Sequence, residues 1–318
     1  MAILNFGKSN SDKSGIPASS DADNAAVEQI AAFMRPCTFE ATKPSEKDIA
    51  ALRETLAPGT TVYLTMLPNQ KPEDGIAAAV AIRAAGLVPV PHLAARHFAS
   101  MKDVDALLAA FNTQADVTRV LLIGGDTVTP AGSVRDVLSI IESGVLQGNR
   151  IADVGVGGFP DGHPAMSDEE LESVLVTKLA AIQSGGLNSH IVTQFIFDAA
   201  PAIRWIGWLR ERGIHVPVHI GLAGPTSLMS WLNFARKCGV KASAESLATR
   251  SGLVKQAFKS VAPDPIIRQL AAANANGELG QVVPHLFAFG GIGATAKWAQ
   301  PAIAGAIRLN GEGGYDPV

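Results

Sequence analysis

The amino-acid sequence predicts a single-domain (β/α)8 barrel, a TIM barrel of the α/β class, and three observations lead to this fold. Eight short apolar runs alternate with helical patterns along the chain. Polar residues rarely interrupt these runs, which is typical of parallel strands buried on both faces. No seam divides the alternation into two halves, as it would in an open doubly wound sheet. The predicted strands span residues 37–42, 61–67, 87–93, 118–125, 151–159, 190–198, 216–224 and 282–290.

The remaining elements follow in order along the chain. Residues 1–23 are rich in Ser, Asp, Asn and Lys, so we expect a flexible N-terminal arm, with the barrel spanning 24–318. An N-terminal helix is expected from Asn24, and Ser45 is a plausible N-cap of the next helix. Further helical patterns cover residues 72–86, 103–112, 133–144, 167–186 and 200–213. The long connection 225–281 predicts extra helices before the eighth strand.

Composition and charge indicate which class of molecule the protein binds. Hydrophobic residues make up 47% and charged residues 17% of the 318, which is sufficient for a large core. The net charge is −3 and the basic residues are scattered, so neither nucleic acid nor an anionic membrane surface is an expected partner. Small-molecule substrates are expected instead, and the sequence leaves the oligomeric state open.

The compartment follows from cysteine usage and from the N-terminus. Cys37 and Cys238 are the two cysteines, and their spacing forms no disulfide framework. The first residues contain no continuous apolar segment of the kind found in signal peptides, and no run is long enough for a spanning helix. We therefore expect a cytoplasmic protein.

Catalytic groups of such barrels lie where strands end, and polar residues are found at those positions here. Glu40 stands between Phe39 and Ala41 in TFEATKP. Apolar surroundings would raise the pKa of its carboxyl and make it a general acid near neutral pH, unless a neighbour such as Lys43 satisfies it as a carboxylate.

Two more strand ends offer polar side chains. Asp126 closes VLLIGGD, where Gly124 and Gly125 allow close approach of a ligand, although an Asp after glycines is also common as an N-cap or in an Asx turn. Gln194 lies within the apolar strand VTQFIFD, and a buried primary amide needs partners for both its oxygen and its nitrogen. A heterocyclic ligand or an adjacent strand could supply them.

Other chemistries fit less well. The VGVGG segment lies within a strand pattern and FPDGHP cannot begin a helix, so the dinucleotide fingerprint fails. No HxH or HExxH motif occurs, so we predict no metal site. A Schiff-base aldolase needs a lysine on a central strand, whereas Lys178 falls in a predicted helix.

Four segments in order, TFEATKP, VLLIGGD, VGVGGFPDGHP and IVTQFIFD, resemble the methylenetetrahydrofolate reductase family. Barrels of that family carry Ser-Phe-Glu on strand 1, Arg-Gly-Asp after strand 4, Tyr-Pro-x-x-His-Pro after strand 5 and Thr-Gln-Phe on strand 6. The segments around Thr65 and His92 are similar to the family's second and third strand ends. The resemblance covers roughly residues 30–300.

The resemblance implies a flavoprotein that reduces 5,10-methylenetetrahydrofolate to 5-methyltetrahydrofolate with electrons from NAD(P)H, through FAD in a ping-pong reaction that serves one-carbon metabolism and methionine biosynthesis. It implies that Glu40 protonates N10 of the folate, that Asp126 stabilises the cationic iminium ion, and that Gln194 binds folate and nicotinamide in turn. Phe289 matches a substrate-contacting position, and Leu228 stands where the family usually has a phenylalanine beside the nicotinamide. The positions that match around the flavin are Thr65, His92, Ile123, Gly124, Gly125, Asp126, Phe159 and His163. We also expect Gly157 and Gly158 to leave room for a flat ligand beside Phe159 and His163.

The sequence also departs from the family pattern. Gly124 replaces the arginine of the Arg-Gly-Asp turn, Phe159 replaces the tyrosine after strand 5, and a lysine expected before strand 6 is replaced near Ala181. Replacement groups could be Lys178 or the backbone N–H groups of Gly124 and Gly125.

Three hypotheses about function therefore remain. The first is folate reduction through FAD, with NADH as donor because no arginine cluster suggests a pocket for a 2′-phosphate. The second is direct hydride transfer to the same folate without a flavin. The third is a catalytically silent folate-binding barrel.

Overall fold

The computed structural model describes residues 21–68, 70–237 and 260–318. Eight parallel strands close into a barrel in the order β1-β10-β7-β6-β5-β4-β3-β2, which confirms the predicted fold class. The strands are β1 (Thr38–Ala41), β2 (Thr61–Leu64), β3 (Val88–Ala94), β4 (Arg119–Ile123), β5 (Asp153–Gly158), β6 (Asn188–Phe195), β7 (Val218–Ala223), β8 (Thr226–Ser227), β9 (Ser260–Val261), β10 (Val282–Phe287), β11 (Ile307–Leu309) and β12 (Tyr315–Pro317).

Helices surround the barrel: the first precedes β1, and the others lie between strands or after β10. They are α1 (Asp21–Met34), α2 (Glu46–Thr55), α3 (Pro72–Ala84), α4 (Met101–Ala115), α5 (Val137–Glu142), α6 (Val145–Gly148), α7 (Asp168–Ser184), α8 (Ala199–Glu211), α9 (Leu228–Lys237), α10 (Asp264–Asn274) and α11 (Ile292–Ala304). A short 3₁₀ helix, Ala95–His97, follows β3.

Side-chain caps fix several helix starts. Ser45 forms a capping box with Asp48 at the start of α2, as predicted for Ser45, and Ser167 does the same with Glu170 at α7. Asp198, a polar residue at the end of strand 6, accepts a hydrogen bond from the backbone of Ala200 and caps α8. These caps begin each helix directly after a strand-end loop.

The two ends of the chain meet on one side of the barrel. Helix α1 begins at Asp21 and contacts α10 and α11. The predicted arm falls mainly on residues 1–20, outside the described residues. The antiparallel pair of β11 and β12 was missed in the sequence, and it is tied to α10 by a 3.3 Å hydrogen bond from the Tyr315 N–H to Asp264.

Two hydrophobic clusters hold the fold together. The larger one fills the space between the sheet and the helices. The smaller one lies inside the barrel and consists of Tyr63, Val90, Leu121 and Val192, with Ile123 packed against it. No helix in the described ranges is both long enough and apolar enough to cross a membrane.

Candidate functional site

The residues predicted as site residues lie on or just after the C-terminal ends of the barrel strands. Glu40 is on β1, His92 on β3, Ile123 ends β4 and Gln194 is on β6. Thr65, Gly124, Gly125, Asp126, Phe159, His163 and Phe289 follow β2, β4, β5 and β10. Leu228 begins α9, and its side chain lies outside the described part of the structure. In a closed parallel barrel, all of these positions surround one mouth.

Two histidines share one oxygen of Glu40. His285 Nε2 lies 3.2 Å from Glu40 Oε2, and His92 Nε2 lies 3.3 Å from the same atom. The side chains of Glu40, His92 and His285 are 11%, 7% and 0% exposed. Lys43 does not contact Glu40, because its ammonium pairs with Asp74 at 3.4 Å. Glu40 is therefore a buried carboxylate held between two imidazoles.

This geometry corrects the expectation that Glu40 is an acid with a raised pKa. Burial alone would raise the pKa of its carboxyl, but the charge of His92 and the contacts of His285 and His92 outweigh burial and lower the pKa to about 2. The neighbours on β1, Phe39 and Ala41, point to the opposite face of the strand, so they do not set the environment of Glu40. Glu40 is ionised at neutral pH in the unliganded protein.

The hydrogen-bond partners of the two ring nitrogens of His285 indicate which nitrogen carries the proton. The hydroxyl of Thr38 lies 2.9 Å from His285 Nδ1 and 3.4 Å from His219 Nδ1. Burial lowers the pKa of His285 and lowers that of His219 further below the usual histidine range. A neutral His285 can accept from Thr38 at Nδ1 and donate its Nε2–H to Glu40.

A second polar chain crosses the barrel interior beneath this site. The hydroxyl of Tyr63 lies 2.8 Å from His190 Nε2, and His190 Nδ1 lies 2.6 Å from Asp153. Arg119 donates to the other oxygen of Asp153 at 3.0 Å. The Tyr63 ring also meets the edge of His285, with centroids 4.8 Å apart. Polar side chains thus replace much of the apolar filling expected inside such a barrel.

Sequence reasoning missed this interior because it treated the histidines only as metal ligands. Within the described residues, no group of three or more His, Cys, Asp or Glu side chains is arranged to hold a metal ion. The signal that could have found the network is the period of two in each strand, which puts Thr38 and Glu40 on the same face. The same rule puts His285 and Phe287 on one face of β10.

Arg96 lies beside Gly124, the position at which the family pattern has an arginine. Its guanidinium rests against Gly124, where an added Cβ would lie 3.3 Å from Nη1, and it donates a hydrogen bond to the carbonyl of Gly125. Gly125 has φ +92°, and its open side faces Ala94 and His97. Neighbouring side chains, rather than a ligand, therefore fill the space that these glycines leave.

Asp126 is not in contact with Glu40. Its Oδ1 accepts a hydrogen bond of 2.9 Å from His97 Nε2, and its side chain is 65% exposed. It lies at the open end of β4, three strands from β1 around the barrel. Lys178, the other cation considered near this end, is on α7, where burial lowers its pKa and Asp136 partly opposes that effect.

Gln194 lies at an irregular point of β6. Val192 pairs with His219 and Phe195 pairs with Gly221, so β6 has one residue more than β7 over this interval. The Gln194 side-chain oxygen accepts the N–H of Phe195 at 3.1 Å. Its amide nitrogen makes no hydrogen bond to any described residue, so this nitrogen can donate to a ligand.

An aromatic wall stands beside Gln194. Phe289 stacks on Phe234 of α9, with centroids 4.0 Å apart and planes 9° apart, and meets Phe195 at 5.1 Å. Trp231 packs edge-on against Phe197 at 4.2 Å. Phe234 and Trp231 were missed in the sequence. Their spacing of three residues places both on one side of a helix, which is the signal that could have found them.

The loop after β5 differs in part from expectation. Phe159 and His163 meet edge to face at 5.2 Å, and His163 Nδ1 accepts the N–H of Ala165. Gly158 does not leave room for a flat ligand, because an added Cβ would lie 2.7 Å from Ile191 and 2.8 Å from Trp205. It is the close contact of β5 with α8 that requires glycine there.

Asp161 in the same loop has an unusual environment. Burial and the charge of Asp198 raise the pKa of its carboxyl to about 6, although the N–H of Phe197 donates to it. Asp161 is therefore a titratable group at the mouth, between the ends of β5 and β6. The sequence showed its position but gave no sign of this shift, which depends on a contact across two loops.

Unpartnered polar atoms concentrate at this mouth. Among the described residues, eight buried side-chain N or O atoms have no hydrogen-bond partner. Five of them lie on or after the ends of β2, β3 and β4: Thr65 Oγ1, Arg96 Nε, His97 Nδ1, Thr127 Oγ1 and His92 Nε2, whose contact with Glu40 is an ion pair and not a well-directed hydrogen bond. Buried polar atoms without partners are costly, so this cluster favours a polar ligand at the site.

Comparison with known proteins supports a specific family. The sequence profile described as methylenetetrahydrofolate reductase matches residues 62–279, more than half of the chain. Methylenetetrahydrofolate reductase 2 of Saccharomyces cerevisiae is 28% identical over 102 residues, which are 32% of this chain and 16% of that protein. Methylenetetrahydrofolate reductase 1 of Schizosaccharomyces pombe is 31% identical over 88 residues, 28% of this chain and 14% of that protein.

The matched segments therefore span about a sixth of the length of these yeast relatives. Among solved structures, an uncharacterised protein from Clostridium thermocellum that binds two copies of 5-methyl-5,6,7,8-tetrahydrofolic acid superposes with a TM-score of 0.57. It is 11% identical, and the superposition covers 86% of this chain and 98% of that one, so it supports the fold. From the extent of the profile match and the order of its strand-end motifs, the chain belongs to the methylenetetrahydrofolate reductase family.

Proposed function

We propose that this protein reduces 5,10-methylenetetrahydrofolate to 5-methyltetrahydrofolate with electrons from NAD(P)H. The observation that carries the proposal is Glu40, a buried carboxylate at the barrel mouth whose Oε2 lies within 3.3 Å of two histidine nitrogens. A carboxyl that can take a proton from a neighbour and pass it to a ligand is the group this reaction needs. Family membership and the tetrahydrofolate-binding relative with the same fold agree with this choice.

In this proposal, Glu40 delivers a proton to N10 of the folate, which opens the five-membered ring. The resulting iminium ion is positively charged. Asp126 supplies a negative charge from the open end of β4, where the hydrogen bond from His97 fixes its position. Opposite, the free amide nitrogen of Gln194 donates to the ring system that lies against Phe289.

The residues at the ends of β2 to β4 fit a flavin dinucleotide. Thr65, Arg96, His97 and Thr127 offer buried polar atoms without partners, and Arg96 supplies the cation that position 124 lacks. A bound FAD would accept electrons from NADH and pass them to the folate as hydride. These four side chains would hold it, while Glu40 and Gln194 act on the substrate.

Direct hydride transfer without a flavin is the alternative, and the replacements at Gly124 and Phe159 favour it. The decisive experiment is a visible absorption spectrum of the purified protein, followed by NADH oxidation with methylenetetrahydrofolate, with and without added FAD. A flavin spectrum with folate-dependent oxidation supports the first proposal. A colourless protein that is active and does not respond to FAD supports direct transfer.

The third reading is a folate-binding barrel without activity. It predicts binding of tetrahydrofolate with no folate-dependent oxidation of NADH or NADPH under either condition. That result would overturn the proposed reaction. A tryptophan fluorescence titration with tetrahydrofolate, run on the same preparation, separates a folded binding protein from an inactive sample.

A further inference from the structure

The proposed acid, Glu40, is ionised in the unliganded site, and this raises the question of where its proton comes from. The contacts of its carboxylate lower its pKa to about 2. A carboxyl whose pKa is held that low is ionised at neutral pH. Glu40 can therefore serve as an acid only if a neighbour gives it a proton when the substrate is in place.

His285 is poorly suited to that task. Its Nε2–H already donates to Glu40 at 3.2 Å, while its Nδ1 lies 2.9 Å from the Thr38 hydroxyl. Burial keeps this ring neutral by lowering its pKa. If it gave up its only ring proton it would become an imidazolate, unless Thr38 passed on another proton at the same time. His285 therefore orients the carboxylate.

His92 has the geometry that His285 lacks. Its Nε2 lies 3.3 Å from Glu40 Oε2 in an ion-pair contact and makes no hydrogen bond to any other described residue. The ring is on β3 and its side chain is 7% exposed, whereas that of His285 is 0% exposed. The other titratable rings facing this region are Tyr63 on β2, His190 on β6 and His219 on β7. Tyr63 is paired with Glu40 across β1 and β2, but its hydroxyl bonds to His190 and makes no hydrogen bond to Glu40.

We propose that His92 stores the proton that Glu40 delivers. On the proposed function, the unliganded site holds His92 as imidazolium beside ionised Glu40. When a flat ligand excludes water from the mouth, the separated charges become less favourable. The N–H bond at His92 Nε2 then breaks as an O–H bond forms at Glu40 Oε2, and that O–H bond breaks in turn as the proton moves to the substrate nitrogen.

After this sequence Glu40 is again ionised, His92 is neutral, and the substrate has gained one proton. His92 regains its proton from solvent once product leaves. His92 does not touch the substrate in this scheme, so it is a positioning residue that acts through Glu40. The inference rests on the proposed function for its last step, while the sharing of a proton between His92 and Glu40 can be tested without any turnover.

The first test is carbon-13 NMR of protein labelled at glutamate side-chain carboxyls, with Glu40→Gln used to assign the Glu40 signal. In the wild type, we expect that signal to remain that of a carboxylate down to about pH 4. In His92→Gln, it should titrate at higher pH, because the nearest positive charge is gone. His215→Gln, which changes an exposed histidine, is the matched control and should leave the signal unchanged.

The second test keeps the proposal falsifiable if His92→Gln does not fold. Nitrogen-15 NMR of histidine-labelled wild type at about pH 6 should show one buried ring as imidazolium. Addition of tetrahydrofolate to the same sample should shift the nitrogen signals of that ring towards those of neutral imidazole. If all buried rings are neutral without ligand, or if Glu40 titrates identically in His92→Gln and wild type, the proposal is wrong.

Turnover then separates this proposal from the proposed function. His92→Gln should lower kcat for folate reduction at least about 10-fold, with KM changed less than about 3-fold, and should shift the pH profile of kcat. A variant with wild-type kcat overturns the role of His92. A wild type that never reduces the folate overturns the proposed function, whereas the two NMR titrations still decide whether His92 and Glu40 share a proton.

Discussion

The guanidinium of Arg96 lies directly against the Cα of Gly124, so that a Cβ at position 124 would lie 3.3 Å from Nη1 and 3.5 Å from Nη2. The two residues are complementary: the arginine reaches this place from the end of β3 because residue 124 has no side chain. Arg96 thus brings a positive charge from the end of β3 to the turn after β4, where the family pattern has an arginine and this chain has Gly124.

The first prediction concerns this arginine. If FAD is bound as proposed, Arg96→Gln should weaken its binding roughly 10-fold or more, because the charge-assisted contact that Arg96 would make to a phosphate is lost. Isothermal titration calorimetry with FAD measures the effect directly. Arg212→Gln, which removes a guanidinium stacked on Trp208 at 4.3 Å on α8, is the control and should bind FAD as the wild type does. Equal affinity in Arg96→Gln would remove Arg96 from the cofactor site.

The second prediction concerns the acid. Glu40→Gln should lower folate-dependent NADH oxidation by roughly 10² to 10⁴, because the amide cannot supply a proton to N10. Binding of tetrahydrofolate should persist, which fluorescence titration can measure. Glu46→Gln, at an exposed carboxylate in the first turn of α2, should leave turnover unchanged. Ordinary turnover in Glu40→Gln would contradict the proposed role of Glu40.

The third prediction follows from the raised pKa of Asp161. Since its pKa is about 6 in the folded protein and about 4 in an unfolded chain, the folded state holds more protons between these values. Stability from this group is therefore present below about pH 4 and is lost as pH rises through about 6. Asp161→Asn should raise the free energy of unfolding at pH 7.5 by about 1 kcal/mol, after allowance for partial exposure.

Thermal or urea unfolding of Asp161→Asn and wild type at two pH values checks this sign. The gain at pH 7.5 should shrink towards zero near pH 4, where the wild-type carboxyl is protonated as well. A gain that is equal at both pH values would mean that the substitution acts through packing, and not through the burial of the Asp161 charge near Asp198.

The fourth prediction compares two buried tyrosines. The hydroxyl of Tyr63 bonds to His190 at 2.8 Å, whereas the hydroxyl of Tyr315 is buried without a hydrogen-bond partner among the described residues. Tyr63→Phe should cost about 1–3 kcal/mol, because it leaves His190 Nε2 unsatisfied. Tyr315→Phe should be neutral or stabilising. Urea unfolding of both variants tests the pair, and similar losses for the two would show that the Tyr63 hydrogen bond has no special value.

Much of the barrel could be predicted from the sequence because each strand is a short apolar run followed by a strong helix signal. Ser45 is an example, since its side chain and that of Asp48 specify a helix start locally. The strand-end position of Glu40 was equally visible. The groups that set the ionisation of Glu40 were not visible in the sequence, because His92 and His285 come from distant segments. They meet Glu40 only once the barrel closes.

The same reason explains the other errors. Gly158 looked like room for a ligand, but the atoms that approach it belong to Ile191 and Trp205, on the next strand and helix. Arg96 belongs to no recognisable motif, because its role depends on Gly124, which lies 28 residues later in the chain. Local pattern predicts which face a residue occupies, while contacts across the barrel decide what it does there.

Trp231, which belongs to the aromatic wall beside Gln194, can report by its fluorescence on ligand binding at the mouth of the barrel. Of the four tryptophans in the chain, Trp205 and Trp208 are on α8 and Trp298 is on α11, all packed on the outside of the barrel. Trp231 alone among them lies against Phe197 at the end of β6. A ring system seated beside Phe289 would change the surroundings of Trp231, while Trp208 and Trp298 lie on the outer helices. Ligand entry can therefore be timed from intrinsic emission, with no label attached.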